Sequence, residues 1–276
     1  MKKRFVFRGI VLLLILTGIW SLYSSRYRLE VTHYQISSAR LPEAFDGYRI
    51  VQLSDLHAAR FGKEDEDLIE QVAQLEPDMI AMTGDYIENK KHIPQVRHLV
   101  ETLSQIAPVY FSSGNHDWAS GHAHELRRAI EQAGGVWLSN DYRIITRNGE
   151  ELIVAGVEDP NSYAEMTRPD ELMDAIDAAY PDHFSILLGH RNDWPMRYPE
   201  LKTDVILCGH GHGGIIRLPG VGGLLGTDFR FFPKYDAGLF PCGRYVMVVS
   251  RGLGNGIPIP RFGNRPEILC LTLECA

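Results

Sequence analysis

Five apolar runs in this chain end in the same way, and that ending restricts the fold more than any other feature. After YRIVQL (48–53) comes SDLH, after DMIAMT (78–83) comes GDY, and after VYFSS (109–113) comes GNHD. After HFSILL (183–188) comes GH, and after DVILC (204–208) comes GHGHGG. The first three runs are each followed by an amphipathic segment, with Leu68, Ile69, Val72 and Leu75 on one helical face and Val96, Leu99, Val100 and Leu103 on the next. Such alternation predicts an α/β domain of parallel strands covered by helices. In open α/β sheets, ligands gather at the carboxyl ends of strands, so these loops are expected to converge. Later runs, YRIIT, ELIVAGV, HFSILL, DVILC, YVMVVS and EILCLTL, have fewer helices between them and predict a second sheet stacked on the first.

The residues closing the runs are ligand types. Asp55 and His57 are two apart, as are His210 and His212; in extended backbone, residues at that spacing point to one side. With Asp85, Asn115 and His190 they form a set of seven, more than one ion requires. Oxygen and imidazole donors without thiolate suit manganese, iron or zinc, with magnesium, nickel or cobalt usable. Two ions sharing one carboxylate is the economical arrangement, and Asp85 is the candidate placed centrally in chain order. Cys208, Cys242, Cys270 and Cys275 form no CxxC pair. Cys208 reads as a small buried hydrophobe, and a disulfide from Cys242 to Cys270 or Cys275 is left open.

The N-terminus is a separate element. Lys2, Lys3, Arg4 and Arg8 precede an apolar stretch to Tyr23, and Arg26 and Arg28 follow it. Counted from Phe5 this approaches the ~20 residues that span a bilayer, and no small-residue cleavage site is evident. The expected organisation is an anchor over 1–28 and one domain over 29–276. The flanking charges predict a single-pass protein of the inner (cell) membrane with an extracytoplasmic domain. Beyond residue 28, 22 basic residues face 35 acidic ones, a net −13. So acidic a body is poorly suited to a polyanion, and no nucleic acid partner is expected. At 45% hydrophobic residues the chain can bury a large core.

SDLH, GDY, GNHD, GH and GHGHGG, in this order, resemble the motifs of the calcineurin-like metallophosphoesterases, in particular their bacterial membrane-associated phosphodiesterase branch. The similarity runs from about Tyr48 to Leu273 and takes in KYDAGLF, VMVVSRGLG and PEILCLTL. It implies a four-layer α/β/β/α sandwich with a dimetal site. It also implies Asp55, His57 and His212 on one ion, Asn115, His190 and His210 on the other, and Asp85 bridging. His116 becomes the general acid, oriented by Asp117. The implied reaction is phosphoester hydrolysis by a hydroxide held between ions roughly 3.5–4 Å apart, most simply of a diester. A lipid-precursor pyrophosphatase of the kind that cleaves UDP-linked acylated glucosamine and a non-catalytic metal-binding scaffold are the alternatives. A phosphoester substrate, lipid-linked in keeping with the anchor, and a monomeric state complete the expectation.

Other residues carry weaker signals. His33, His92, His98, His122, His124 and His183 read as surface or packing residues; the His122/His124 pair opens a predicted helix, where its rings diverge. Trp118 and Tyr86 adjoin the motifs as cleft candidates, and Arg191, Arg251 and Arg261 as phosphate grips. The glycine-rich stretch 218–240 reads as packing, with a site wall or lipid contact as alternatives.

Overall fold

The computed structural model describes residues 2–165 and 167–276. A first helix, α1 (Lys2–Tyr27), is followed by β1 (Glu30–Ser38) and β2 (Arg49–Leu53), then α2 (Glu66–Gln74), β3 (Met79–Thr83), α3 (Ile93–Leu103) and β4 (Val109–Ser112). Two helices, α4 (Asn115–Ala119) and α5 (Ala123–Gln132), lead to β5 (Val136–Trp137), β6 (Asp141–Arg147) and β7 (Glu150–Gly156). Then come α6 (Pro169–Ala179), β8 (Phe184–Leu188), α7 (Trp194–Arg197) and β9 (Val205–Cys208). The chain closes with β10 (Ile216–Leu218), β11 (Gly222–Leu225), β12 (Gly238–Cys242), β13 (Tyr245–Val249) and β14 (Glu267–Cys275).

Two six-stranded sheets form, in the orders β1-β14-β2-β3-β4-β5 and β12-β13-β9-β8-β7-β6, with β10 and β11 as a separate hairpin. Side-chain alternation explains the layers. In β3, Ile80 and Met82 face the helices with Leu68, Val72, Leu99 and Ile130. Met79 and Ala81 face the second sheet, meeting Val205, Leu207, Ile186 and Leu188. Ile206 and Cys208 point outward to Met173 of α6 and Trp194 of α7. Strands covered on both faces must be apolar throughout, which is why these runs do not alternate in sequence. The result is the expected α/β/β/α sandwich.

Two expectations need correction, and one open question is answered. EILCLTL is β14 of the first sheet, parallel to β1 and antiparallel to β2. It leaves the second sheet because Leu269, Leu271 and Leu273 fill the space between sheets while Ile268 reaches the helix layer. Its partner β1, polar and half-exposed on an edge, carries no run from which it could be read. The stretch 218–240 is not core: it forms β10, β11 and the start of β12, with Val221, Phe229, Phe231 and Phe232 exposed. All four cysteines are free thiols.

Helix α1 stands off the body. Lys3–Tyr27 contains an 18-residue window with a mean hydropathy of 2.2 and is long and apolar enough to cross a membrane; from Phe5 to Trp20 its large apolar side chains are exposed. Among the described residues, its side-chain hydrogen bonds to the body come from its base. The Gly263 and Asn264 amides donate to Ser21 Oγ and Ser25 Oγ at 2.9 and 3.0 Å.

Phe111 holds the helix-side core together, its ring 5.3 Å from that of Tyr86 and 4.6 Å from that of Trp137. Phe111→Ala is expected to cost about 3–5 kcal/mol, read as a lowered urea midpoint at unchanged slope.

Candidate metal centre

The five motif loops meet at one edge of the sandwich. Asp55 and His57 follow β2, Asp85 follows β3, Asn115 opens α4 after β4, His190 follows β8, and His210 and His212 follow β9. The pairs two apart converge, but not by strand alternation. Asp55, His57, Asp85, His210 and His212 all have positive φ, between 45° and 64°. Each strand ends in left-handed turns that aim successive side chains inward, at a steric cost of ~1–2 kcal/mol per residue. Backbones also crowd here. Gly84 has φ +85°, and a Cβ on it would lie 2.6 Å from the Gly114 amide nitrogen; one on Gly114 would lie 2.2 Å from Asp85 Oδ1.

Two clusters result, Asp55–His57–His212 and Asp85–His190–His210, the donor atoms within each lying within 4.8 Å of one another. His57 Nε2 is 3.2 Å from His212 Nε2, and His212 Nε2 is 3.3 Å from Asp55 Oδ1. In the second cluster His190 Nε2 is 3.0 Å from Asp85 Oδ2 and 3.3 Å from His210 Nδ1. Asp85 Oδ2 also lies 3.7 Å from His57 Nε2 and so stands between the clusters. The rings are set from behind: His190 Nδ1 donates to the Thr83 carbonyl at 2.8 Å and His57 Nδ1 to Glu88 Oε1, leaving both Nε2 atoms to face inward. A third combination, His57–Asp85–His116, uses the same inner atoms.

These residues suit divalent cations. Asn115 Oδ1 and His212 Nδ1 are buried without a hydrogen-bond partner, although buried polar atoms are ordinarily paired. Two buried carboxylates, Asp55 and Asp85, lie within 4.0 Å of the imidazoles of His57, His190 and His212. Burial pulls the His190 pKa down, but the charge and hydrogen bond of Asp85, with Asp55 behind, raise it to about 10. Burial and the charge on His190 lower His210 to about 3. Burial and His57 hold His212 well below the usual imidazole range. The other six histidines belong to none of these groups among the described residues.

Around the clusters several expected roles change. Asp117 does not orient His116. Its buried carboxylate accepts the amides of Gly114, Asp85, Tyr86 and Ile87 at 2.8–3.1 Å, stapling the loop after β3 to the turn after β4. The His116 ring is held instead by Glu88, whose Oε2 is 3.0 Å from Nδ1. Glu88 therefore links His57 to His116, and no motif marks it beyond its position three residues after Asp85. Tyr86 is core, its hydroxyl donating to the Leu53 carbonyl. Trp118 donates to Ser113 Oγ at 2.8 Å. Arg191 makes a two-pronged pair with Asp159, and Arg251 pairs with Glu267 and Glu30. Arg261 is buried against the carbonyls of Gly252, Gly254 and Arg251. All three guanidinium groups are thus engaged by carboxylates or carbonyls within the protein.

A two-sheet sandwich whose strand ends bring paired histidine–carboxylate clusters to one edge is the arrangement of a metallophosphoesterase. Comparison with known proteins agrees: residues 48–214 match the calcineurin-like phosphoesterase family. The chain belongs to that family, whose members use a dimetal site. It is 31% identical over 265 residues to the uncharacterized metallophosphoesterase YkuE of Bacillus subtilis, covering 91% of this chain and 88% of that one. It is 28% identical over 234 residues to the phosphodiesterase YaeI of Escherichia coli, covering 82% of each. A Danio rerio transmembrane protein with a metallophosphoesterase domain is 28% identical over 289 residues, 98% of this chain and 64% of that one. Among solved structures, the protein TT1561 of Thermus thermophilus superposes with a TM-score of 0.50 at 13% identity, over 76% of this chain and 92% of that one, and so shares the fold.

Two outcomes follow from this geometry. Asp117→Asn leaves an amide NH2 facing backbone donors and is expected to cost about 1–3 kcal/mol of stability, measured by urea unfolding. Because His190 carries its proton up to a pKa of about 10, a cation must displace that proton throughout the neutral range. Manganese affinity should therefore rise roughly tenfold per pH unit between pH 6 and 8, with proton uptake by a weak buffer as the direct readout.

Proposed function

We propose that the protein is a membrane-anchored phosphodiester hydrolase working with two divalent cations, manganese, iron or zinc. Asp55, His57 and His212 would hold one cation, Asn115, His190 and His210 the other, and Asp85 both. The observation that carries this reading is the place of Asp85 Oδ2, 3.0 Å from His190 and 3.7 Å from His57, with the half-exposed His116 ring beside them. Residues 1–28 are the anchor in this reading, and the charges flanking the apolar stretch favour a body on the far side of the membrane.

When bound, such a cation pair acidifies water and draws charge from phosphoryl oxygens. The chain's own contribution is positioning and proton supply. Asp85 Oδ1 accepts the His116 amide at 2.7 Å, tying the proton donor's backbone to the shared carboxylate. The Glu88 hydrogen bond is the main force raising the His116 pKa, with Asp85 adding to it against the effect of burial. His116 thus holds a proton for the leaving oxygen, a contribution typically worth ~10²–10⁴ in rate.

The diester is the finer part of this reading. Arg191 and Arg251 are each paired with carboxylates, so their charge is already balanced within the protein. The relative named phosphodiesterase YaeI supports the same class.

The test is hydrolysis of an aryl phosphodiester and the matching monoester by the full-length protein, across manganese, zinc and magnesium. Metal-dependent turnover preferring the diester is expected. Asp85→Asn should abolish turnover and lower bound metal, and His116→Ala should slow turnover by ~10²–10⁴ with metal retained. A general acid must be protonated, so activity falls as pH rises through its pKa; Glu88→Gln removes what raises it and moves the alkaline limb to lower pH. Monoester preference, or turnover without metal, would overturn the reading.

A further inference from the structure

The base of α1 and the candidate metal centre share a cavity. It encloses about 680 Å³, within the range that holds a drug-sized ligand. One wall comes from α1, with Leu22 and Arg26, and a second from the loop after β2, with His57 and Arg60. The third wall is the loop between β13 and β14, where Ile257 and Pro258 supply an apolar face.

A chain of hydrogen bonds fixes this juxtaposition. Ser25 Oγ accepts the Asn264 amide, and Asn264 Nδ2 donates to the His212 carbonyl at 2.7 Å. The foot of the apolar helix is therefore anchored one residue's reach from a candidate ligand. Arg26 lies 5.4 Å from the Tyr27 ring. Neither Arg26 nor Arg60 has a carboxylate partner among the described residues, although the body is strongly acidic. Two unpaired guanidinium groups, an apolar wall and a metal-site histidine surround one space that opens beside a helix able to cross a bilayer.

The geometry points to this cavity as the binding site for a membrane phospholipid phosphodiester. Its acyl chain would leave along Leu22, Ile257 and Pro258 toward the bilayer, with the headgroup anion against Arg26 and Arg60 and the scissile phosphorus toward His57. This deepens the phosphodiesterase reading and rests on it for the chemistry. Water adds to phosphorus and the P–O bond to the leaving alcohol breaks. His116 gives its proton to that alcohol oxygen and is reprotonated by one proton of the water, the other passes to solvent, and a phosphomonoester remains.

The experiment uses full-length protein in detergent with manganese and two p-nitrophenyl phosphodiesters that differ only in their second ester group, methyl or hexadecyl. Wild-type kcat/KM should favour the hexadecyl ester by at least about tenfold, because each buried methylene contributes several-fold. Arg60→Glu combined with Ile257→Asp should bring that ratio toward one. A wild-type ratio near one overturns the proposal. So does a high ratio untouched by the two substitutions, which would show partition into micelles alone.

A second readout needs no turnover. In a Cys242→Ser/Cys275→Ser background, Ala59→Cys places a thiol on the cavity wall. Its alkylation by a charged maleimide should be slowed by hexadecyl methyl phosphate and not by dimethyl phosphate. Protection without hydrolysis of either ester would defeat the phosphodiesterase reading and leave the lipid site standing. Hydrolysis of both without protection would do the reverse.

Discussion

The site depends first on a carboxylate that touches no substrate position. Asp117 is fully buried, and burial with the nearby charge of Asp85 pushes its pKa up to about 6 against the pull of the surrounding amides. Four amides converge on its two oxygens, three from the loop after β3 and one from the turn after β4. Charge-assisted bonds of this kind are about twice as strong as neutral ones. They hold Asp85 and Asn115 at a fixed separation although the two belong to different strands. Gly84 and Gly114 must lack side chains for the same reason, since the two backbones pass where a Cβ would sit.

Around that staple the chain concentrates strain and charge. Five candidate ligands adopt left-handed backbone, and two aspartates sit beside four imidazoles in a nearly dry space. The strained turns persist because strands buried on both faces cannot shift to relieve them. The charges resolve by holding a proton on His190 and stripping protons from His210 and His212. A fold does not gain stability from such an arrangement. It gains a group of imidazole and carboxylate donors of the kind that suits divalent cations.

Much of this was legible because the informative residues are local to the strands they end. Apolar runs of five or six residues followed by glycine and a donor identify β2, β3, β4, β8 and β9 and their loops without any knowledge of pairing. What lay beyond reach was long-range. That β14 returns between β1 and β2 depends on which face Leu269 and Leu271 cover, and that is decided by the second sheet. Glu88 looks like any acidic residue in a loop until the fold brings His57 and His116 to its two oxygens. Asp117 next to His116 suggests a partner for the ring, but in a helical turn successive side chains diverge, and the carboxylate turns to the amides. The arginines mislead because their carboxylates lie far away in sequence, Asp159 for Arg191 and Glu30 for Arg251.

The same long-range logic governs the N-terminal helix. Its apolar residues would serve as an anchor wherever the helix joined the body, since hydropathy carries no information about docking. Two serine hydroxyls at its base make the difference, by accepting amides from the loop that also carries Asn264 and Arg261. Arg261 knits that loop to itself through carbonyls on both of its sides. Asn264 reaches across to the carbonyls of His212 and Gly214. A displacement of the helix foot is therefore transmitted to the turn that presents His212, through bonds buried too deeply for water to replace at no cost. The helix is not a detached appendage: its foot is part of the scaffold that shapes the site's edge.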